Sequence, residues 1–230
     1  MTLTAPAAKA LALEIGYDAA GVARPHAPGA PTWARAVLVG LHATLDEAYD
    51  YEMTIEYAGR RKWHKPIYAV MESLSFQLAE ALRRAGQRAE ALTYAHSIDL
   101  MDLKRAAVEA GLGILGKNGL VVHRRFGPRV RFGAVFCDAD WPTDRPLLDY
   151  YCSSCTQCWN ACPTDALGPT GLDRARCIAE YNPTPEMAAQ QDALEHRPSP
   201  CTRRQCIACI TACPIGAREP AEFYRDIRRP

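Results

Sequence analysis

Four cysteines and a proline, spaced C-x2-C-x2-C-x3-C-P, restrict what this chain can fold into more than any other feature. The motif comprises Cys152, Cys155, Cys158, Cys162 and Pro163. Two-residue gaps let one loop surround three corners of a cubane, whose sulfides accept hydrogen bonds from the loop amides. The fourth cysteine lies beyond the turn and serves another cluster, and the proline begins a helix. The spacing therefore predicts 4Fe–4S ligands rather than zinc ligands or free thiols.

A second, incomplete copy of the motif predicts a second cluster. Its first position is occupied by Arg203, and the cysteines that follow are Cys206, Cys209 and Cys213. The expected ligands of the first cluster are Cys152, Cys155, Cys158 and Cys213. The second cluster takes Cys162, Cys206, Cys209 and one more cysteine. Two candidates remain for that place, Cys177 and Cys201, and proximity in sequence slightly favours Cys201.

The composition indicates an ordinary soluble protein in a reducing compartment. Only Cys137 lies upstream of the motifs, where it ends an apolar strand and is expected to be a small buried hydrophobe. The N-terminus lacks the pattern of a secretory or twin-arginine leader, and no apolar run is long enough to span a membrane. Ten cysteines in such a chain favour metal binding over disulfides, so a cytoplasmic location is expected.

Charge is evenly distributed, which speaks against a nucleic-acid partner. The chain has 27 Lys and Arg against 26 Asp and Glu. Residues 151–230 hold nine of each. The local exception is HRRFGPRVR at 123–131, with four arginines. This segment is either a solvated strand–turn–strand edge or a site for an anionic ligand.

Alternating helix and strand patterns upstream of the cysteines predict a layered α/β (α+β) fold. Helices are expected at 5–15, ended by Gly16, at 66–86, where Gly86 can cap the end, and at 102–110 with Asp102 as N-cap. Strands are expected at 34–42, 89–95, 120–123 and 130–137. The Pro- and Asp-rich segment 138–147 reads as a linker. The boundaries that follow are an α/β domain at 1–145 and a cysteine-rich module at 146–230.

Several segments together resemble the corrinoid-dependent reductases, the superfamily of epoxyqueuosine reductase and the reductive dehalogenases. They are GLGILGKNG (111–119), the basic strand pair, RKWHKPIY (61–68) and DRARCIAEY (173–181) between the cysteine motifs. The resemblance runs from about Tyr57 to Pro214. It implies a nitroreductase-like domain that binds base-off cobalamin, followed by a bacterial ferredoxin-like module with two 4Fe–4S clusters. It also favours Cys177 over Cys201 as the eighth ligand.

The resemblance further suggests residues for the corrinoid pocket and the chemistry. Gly111, Gly113 and Gly116 would let backbone approach the cofactor closely. Lys117 and Asn118 would be polar contacts, and His64 aligns with a histidine of the tRNA enzyme. The alternative is that the glycine-rich segment is only a helix end and a turn. Candidate proton donors are His64, Asp99 and Lys117, although the aspartate of the tRNA enzyme aligns with Ser97.

Two functional hypotheses follow. In the first, the chain is a soluble reductase whose clusters relay single electrons to a corrinoid, which reduces a small organic or corrinoid substrate. In the second, it is an electron-transfer or accessory protein that reduces a partner, such as a corrinoid protein, and has no substrate site. A flavin on the same fold is a third possibility. The expected electron donor is a low-potential carrier such as ferredoxin or flavodoxin. Departures from the family pattern, including a missing helical-repeat region, make tRNA an unexpected substrate.

Overall fold

A four-stranded antiparallel sheet forms the centre of the protein. The computed structural model describes residues 3–26, 29–57, 60–93, 100–179, 184–194 and 198–216. The strands of this sheet are β1 (Ala19–Ala23), β2 (Ala36–Ala43), β5 (Ala89–Leu92) and β8 (Val130–Cys137). Their order is β1-β2-β8-β5, and each neighbouring pair is antiparallel. Strand β2 is central, and its apolar residues Ala36–Leu41 are buried, as expected for a strand that is covered on both faces.

Helices cover both faces of this sheet. On one face Leu38 packs in a cluster with helix α1 (Ala5–Ile15) and helix α2 (Pro66–Arg84). On the other face Val37, Val39 and Leu41 pack with helix α3 (Leu103–Glu109). Successive residues of a strand point to opposite faces, so β2 contributes to both cores. The mixed α/β layering predicted from the sequence is confirmed.

The helices begin and end close to where their sequence signals predict. Helix α1 ends at Gly16, whose φ of +121° favours glycine. Helix α2 begins at Pro66 and carries Arg83 and Arg84 in its last turn. Asp102 caps α3, since its carboxylate accepts hydrogen bonds from the amides of two residues in the first turn. The buried stripe of α2 comprises Ile67, Met71, Leu74, Ser75, Leu78, Ala79 and Leu82.

The expected strands at 89–95 and 120–123 are shorter in the structure. The first ends at Leu92, and residues 94 and 95 lie outside the described residues. The second is reduced to β7 (Val121–Val122), which pairs with β6 (Ile114–Leu115). These two strands form a small hairpin within the glycine-rich segment.

A second sheet, which the sequence patterns did not predict, joins the α/β part to the cysteine-rich part. It contains β3 (Tyr51–Tyr57), β4 (Arg60–His64) and β11 (Thr202–Arg204), in the order β11-β3-β4. In this register Arg203 lies opposite Glu52. The Arg203 Nε donates to a Glu52 carboxylate oxygen at 3.0 Å, and both side chains are 3% exposed. A buried ion pair therefore fixes a strand from beyond residue 200 against residues near 50.

The expected linker at 138–147 has an irregular backbone, but its side chains form hydrogen bonds to the α/β part of the chain. Trp141 is buried and its indole N–H donates to the Leu3 carbonyl at 2.8 Å. The Asp144 carboxylate accepts from the Val22 amide at 2.7 Å and from the Lys9 ammonium at 2.6 Å. These contacts hold the segment along the edge of the central sheet.

The cysteine-rich part is built from short elements. They are α4 (Gln157–Asn160), β9 (Leu167–Gly168), β10 (Gly171–Leu172), α5 (Pro185–Leu194) and α6 (Ala208–Thr211). The longer α5 supplies Gln191, which is fully buried and accepts from the Arg203 guanidinium at 2.6 Å. Among the residues described, no helix is both long and apolar enough to cross a bilayer.

Removing Arg203 tests whether this buried network holds the two parts together. Arg203→Ala leaves the Glu52 carboxylate buried with one fewer partner, so it should lower the free energy of unfolding by about 3 kcal/mol. Urea unfolding measures the loss. Arg84→Ala is the control, because Arg84 is exposed and pairs with Glu80 on the surface of α2. Equal losses in the two variants would contradict the proposed importance of the network.

Candidate functional site

Four cysteines surround a small cavity of about 20 Å³ between the glycine-rich segment and the cysteine-rich part. They are Cys152, Cys155, Cys158 and Cys213, which we call the first cysteine group. These are the four residues that the motif spacing assigns to one cluster. Burial, followed by the neighbouring Cys155 thiol, raises the pKa of the Cys158 thiol. Four cysteine thiolates are the ligand set of a 4Fe–4S cluster.

Lys117 holds the loop of the first cysteine group. Its ammonium donates to the Ser153 carbonyl at 2.8 Å and to the Cys155 carbonyl at 3.1 Å. It also lies 4.9 Å from the centre of the Trp159 ring. Lys117 lines the small cavity and not the larger one described next, so the structure places this residue beside the cysteines.

The second cysteine group, Cys162, Cys177, Cys206 and Cys209, lines a much larger cavity of about 400 Å³. Burial and the neighbouring Cys206 and Cys177 thiols raise the pKa of Cys209 to about 12. Burial acts in the same direction on Cys162, but backbone N–H groups outweigh it and lower the Cys162 pKa. One of them is the Ala166 amide, which donates to the sulfur at 3.2 Å.

The two remaining cysteines lie apart from both groups. Cys201 is exposed and lines neither cavity. Cys137 is fully buried at the end of β8, and burial raises its pKa to about 12. The described structure thus brings Cys177, and not Cys201, to the other three members of the second group.

The two motifs repeat in structure as well as in sequence. Helices α4 and α6 follow equivalent residues, Thr156 and Ile207, whose φ and ψ angles are −129° and 13°, and −124° and 16°. The two helices pack against each other. Cys158 is also close enough to contribute to the raised pKa of Cys209. The two cysteine groups are therefore adjacent.

The three glycines expected at the cofactor line neither cavity. A Cβ at Gly111, whose φ is +70°, would lie 2.7 Å from the Arg145 carbonyl oxygen. A Cβ at Gly113 would lie 2.7 Å from the Val122 carbonyl oxygen, and one at Gly116 would lie 2.6 Å from the Val122 side chain. In this structure the glycines allow the segment to pack against its own chain.

Of the other expected pocket residues, Asn118 is placed at both cavities. It is buried and lines the small and the large cavity, and its side-chain oxygen accepts from the Leu120 amide at 3.1 Å. His64 ends β4 opposite Met53, is half-buried, and does not line either cavity. Asp99 lies outside the described residues.

Lys65, the neighbour of His64, is the functional candidate that the sequence patterns missed. Its side chain is 8% exposed and lines the large cavity. The ammonium lies 3.3 Å from Glu52 and donates to the Gln205 side chain, next to Cys206. Burial, with the Arg131 cation, lowers the Lys65 pKa to about 8 although Glu52 opposes this change. Only the position of Lys65 before a helix-opening proline was visible in the sequence.

The wall of the large cavity combines apolar and cationic side chains. Its apolar part includes Tyr68, Met71, Leu92, Leu103, Val130, Phe132 and Ile178. The basic side chains are Lys65, Lys104, Arg131 and Arg174. No histidine lies among the described lining residues, and no three described His, Cys, Asp or Glu residues are placed to hold a single metal ion. A cavity of this volume suits a small organic molecule or part of a larger cofactor.

Known proteins related to this chain are reductases of two kinds. The epoxyqueuosine reductase of Pseudomonas aeruginosa is 34% identical over 138 residues, which cover 60% of this chain and 36% of that protein. The Lactococcus garvieae enzyme of the same name is 31% identical over 174 residues, 73% of this chain and 47% of that protein. A tetrachloroethene reductive dehalogenase of Desulfitobacterium hafniense is 32% identical over 126 residues, 52% and 22% of the two chains. No protein-family model matches.

Solved structures show the same fold. An epoxyqueuosine reductase from Bacillus subtilis aligns with a TM-score of 0.66 over 94% of this chain and 66% of that one, at 19% identity. A catabolic reductive dehalogenase aligns with a TM-score of 0.61 over 95% and 32% of the two chains, also at 19% identity. These relatives and structural neighbours support the corrinoid-dependent reductase superfamily that the motifs of this chain resemble. The resemblance inferred from those motifs is confirmed.

The relatives are longer than this chain, and one structural neighbour was solved with RNA. The chain spans about half or less of the length of the curated relatives named above. One structural neighbour is an epoxyqueuosine reductase with an epoxyqueuosine-modified tRNA stem loop. That neighbour is in tension with the expectation that nucleic acid is not a partner.

The lowered pKa of Lys65 predicts a specific pH dependence of stability. Below pH 8 the ammonium is charged in both states, and its burial costs stability. Above pH 10.5 it is neutral in both, and this cost is gone. The Lys65 contribution to the free energy of unfolding should therefore rise by about 3 kcal/mol between pH 8 and 10.5. Urea unfolding at several pH values should show a smaller rise for Lys65→Met. Lys9→Met, which changes a lysine outside both cavities, should keep the wild-type slope.

Proposed function

We propose that this protein is an iron–sulfur reductase whose two cysteine groups each hold a 4Fe–4S cluster and whose large cavity holds part of a corrinoid with a small substrate beside it. The observation that carries the proposal is the shared wall of the large cavity. Four cysteines with cluster spacing line the same 400 Å³ space as the apolar and cationic side chains. An electron carrier without its own substrate site does not require such a space beside its cysteines.

The chemistry of the two cysteine groups fits iron–sulfur clusters. Each group contains four thiols around one cavity, and backbone amides point at the sulfur of Cys162. We assign Cys152, Cys155, Cys158 and Cys213 to the first cluster. We assign Cys162, Cys177, Cys206 and Cys209 to the second. Only the second group lines the large cavity, so we place it between the first group and the substrate.

The large cavity also fits part of a corrinoid. Its apolar wall matches the face of a large ring, and its polar side chains match a periphery rich in amides. No histidine lies among the described residues that line this cavity. A reduced corrinoid, when bound, supplies a powerful reductant for carbon–heteroatom bonds.

The chain's own residues would prepare this site in three ways. Lys117 donates hydrogen bonds to two carbonyls in the loop of the first cysteine group. Asn118 is buried and lines both cavities. Lys65 places a positive charge at the wall of the larger cavity. We further propose the nitroreductase-like and ferredoxin-like assignments for residues 1–145 and 146–230. In this arrangement a low-potential carrier such as ferredoxin or flavodoxin supplies the electrons.

A second candidate substrate is the epoxyqueuosine of a tRNA. It is favoured by the structural neighbour that was solved with a modified tRNA stem loop. The even charge of the chain argues in the other direction, since nucleic-acid binding surfaces are strongly basic. An electrophoretic mobility shift with an epoxyqueuosine-modified stem loop distinguishes the two substrates. A saturable shift at physiological salt would replace the small-molecule proposal.

Corrinoid binding tests the central proposal directly. Protein purified without oxygen and reconstituted with iron and sulfide should retain hydroxocobalamin through gel filtration, and its visible bands should co-elute. Clusters without co-eluting corrinoid would favour the alternative, an electron-transfer or accessory protein that reduces a partner. Replacement of the corrinoid by a retained flavin would point to a different cofactor on the same fold.

The choice between Cys177 and Cys201 can be tested by iron content. Cys177→Ala should lose about four of about eight iron atoms per chain, because it removes a ligand of the second cluster. Cys201→Ala should keep them all, since this thiol lies outside both groups. Iron analysis after reconstitution measures both variants. The assignment is wrong if both lose the same amount.

Thiol alkylation provides an independent check on all ten cysteines. In the cluster-loaded protein, eight thiols are ligands and Cys137 is buried with a raised pKa, so iodoacetamide at pH 8 should modify Cys201 alone. Mass spectrometry of the intact and digested protein identifies the site. Rapid modification of Cys177 with the clusters intact would remove it from the ligand set.

A further inference from the structure

The charged side chains around the large cavity are predominantly cations. Among the described lining residues, the bases are Lys65, Lys104, Arg131 and Arg174, and the acid is Glu72. They come from separate parts of the chain: the start of α2, α3, β8 and the segment after β10. Four cations converge on one space although the whole chain has a formal net charge of only +1. This concentration of positive charge requires an explanation.

The four cations differ in how far their side chains are exposed. Lys104 and Arg174 are exposed, Arg131 is half-buried, and Lys65 is buried. The Lys104 ammonium donates to the Gly119 carbonyl at 2.8 Å, and one Arg131 nitrogen donates to the Val130 carbonyl at 2.9 Å. Those carbonyls orient the side chains without cancelling their charge. A series of cations of this kind attracts anions and guides them inward.

The cations also act on one another. Burial and then Arg131 lower the pKa of Lys65, against the opposing effect of Glu52. Partial burial lowers the pKa of Lys104; Asp102 opposes this change, and Arg174 and Arg131 add to it. Arg131 therefore acts with burial to lower the pKa of both lysines, while the neighbouring carboxylates act in the opposite direction. A bound anion would relieve this repulsion.

The remaining wall shows what else the ligand must contain. The apolar side chains of Tyr68, Met71, Leu103 and Phe132 line the same cavity as the cations. A hydrated inorganic ion gains nothing from contact with apolar side chains. A molecule with an apolar body and one charged group can contact both the apolar and the cationic side chains of the cavity.

We propose that the substrate of the large cavity carries an anionic group, a phosphate or a carboxylate, that binds to Arg131 with Lys65, Lys104 and Arg174 around it. This inference rests on the proposed function, which places the substrate in this cavity. It also decides between the two interpretations of HRRFGPRVR, because Arg131, the last residue of that segment, faces the cavity. The guanidinium is suited to both groups, since its planar fork matches their oxygens.

Binding of small anions tests the inference without any turnover. The probes are inorganic phosphate and benzoate, titrated by calorimetry into cluster-loaded protein at low ionic strength. Arg131→Gln should raise the dissociation constant of the bound anion about tenfold, because a charge-assisted contact is lost. Lys104→Gln, which changes an exposed lysine, should raise it less. Arg105→Gln is the control, since Arg105 lies on the same helix as Lys104, is paired with Glu109 and lines neither cavity.

The outcomes separate the sources of the anion. Saturable, Arg131-dependent binding of phosphate but not benzoate identifies a phosphorylated substrate, and the reverse result identifies a carboxylate. The absence of saturable binding of both probes, or equal binding by the wild type, Arg131→Gln and Arg105→Gln, overturns the inference.

A corrinoid comparison keeps the inference separate from the proposed function. Hydroxocobalamin carries a phosphate in its nucleotide tail, and dicyanocobinamide lacks that tail. If Arg131→Gln weakens binding of the first and not of the second, the cations serve the cofactor, and the inference about the substrate is overturned. If the wild type binds neither corrinoid but binds an anion through Arg131, the proposed function fails and the anion site stands.

Discussion

The buried carboxylate of Glu52 fixes the relative placement of three parts of this protein. It is 2% exposed, and its partners are the Arg203 guanidinium at 3.0 Å and the Lys65 ammonium at 3.3 Å. A buried charge is tolerated only when opposite charges and hydrogen bonds surround it. Glu52 therefore requires β11 on one side and the start of α2 on the other. The large cavity is lined by Lys65 at the start of α2 and by Gln205, which directly follows β11.

This arrangement explains why cysteines and cations share one cavity. Gln205 contacts the Lys65 ammonium and immediately precedes Cys206, so the ion-pair network and the second cysteine group are neighbours in the chain. Arg204 is the residue between Arg203 and Gln205, and its guanidinium lies 3.7 Å from the Asp50 carboxylate. A stretch of four residues, 203–206, thus contributes two arginines, an amide and a thiol to the junction. Displacement of this stretch would disturb both the metal ligands and the cavity wall.

Sequence patterns predicted the elements whose structure depends on residues close together in the chain. The apolar run of β2, the stripe of α2, the cap at Asp102 and the cysteine spacing each depend on neighbours within a few residues. The hairpin of β3 and β4 was not predicted, because its sequence mixes charged and aromatic residues. Its third strand lies about 150 residues away. The register between β11 and β3 is set by a buried ion pair between residues that far apart. Such a pair produces no periodic hydrophobic pattern from which the strands could be predicted.

In the candidate site, too, the features set by nearby residues were predictable and those set by distant residues were not. Cysteine spacing divides most of the thiols into two groups, whereas the choice of Cys177 came from the family resemblance. The glycine-rich segment was harder to interpret, because glycine is equally suited to a cofactor and to close packing of the chain. The structure places Gly111, Gly113 and Gly116 against backbone and valine side chains. Lys65 was overlooked because its importance comes from Glu52 and Arg131, which lie on other strands.

The strand β11 has a consequence for how such a protein can be rearranged. Iron–sulfur segments are often regarded as interchangeable units that can be attached to many catalytic domains. Here residues 202–204 complete a sheet that begins near residue 51, and Cys206 and Cys209 form part of the wall opposite α2 and β8. A segment taken from 146–230 and attached elsewhere would carry half of a cavity and leave Glu52 without its arginine. The two parts are separable in sequence but depend on each other in structure.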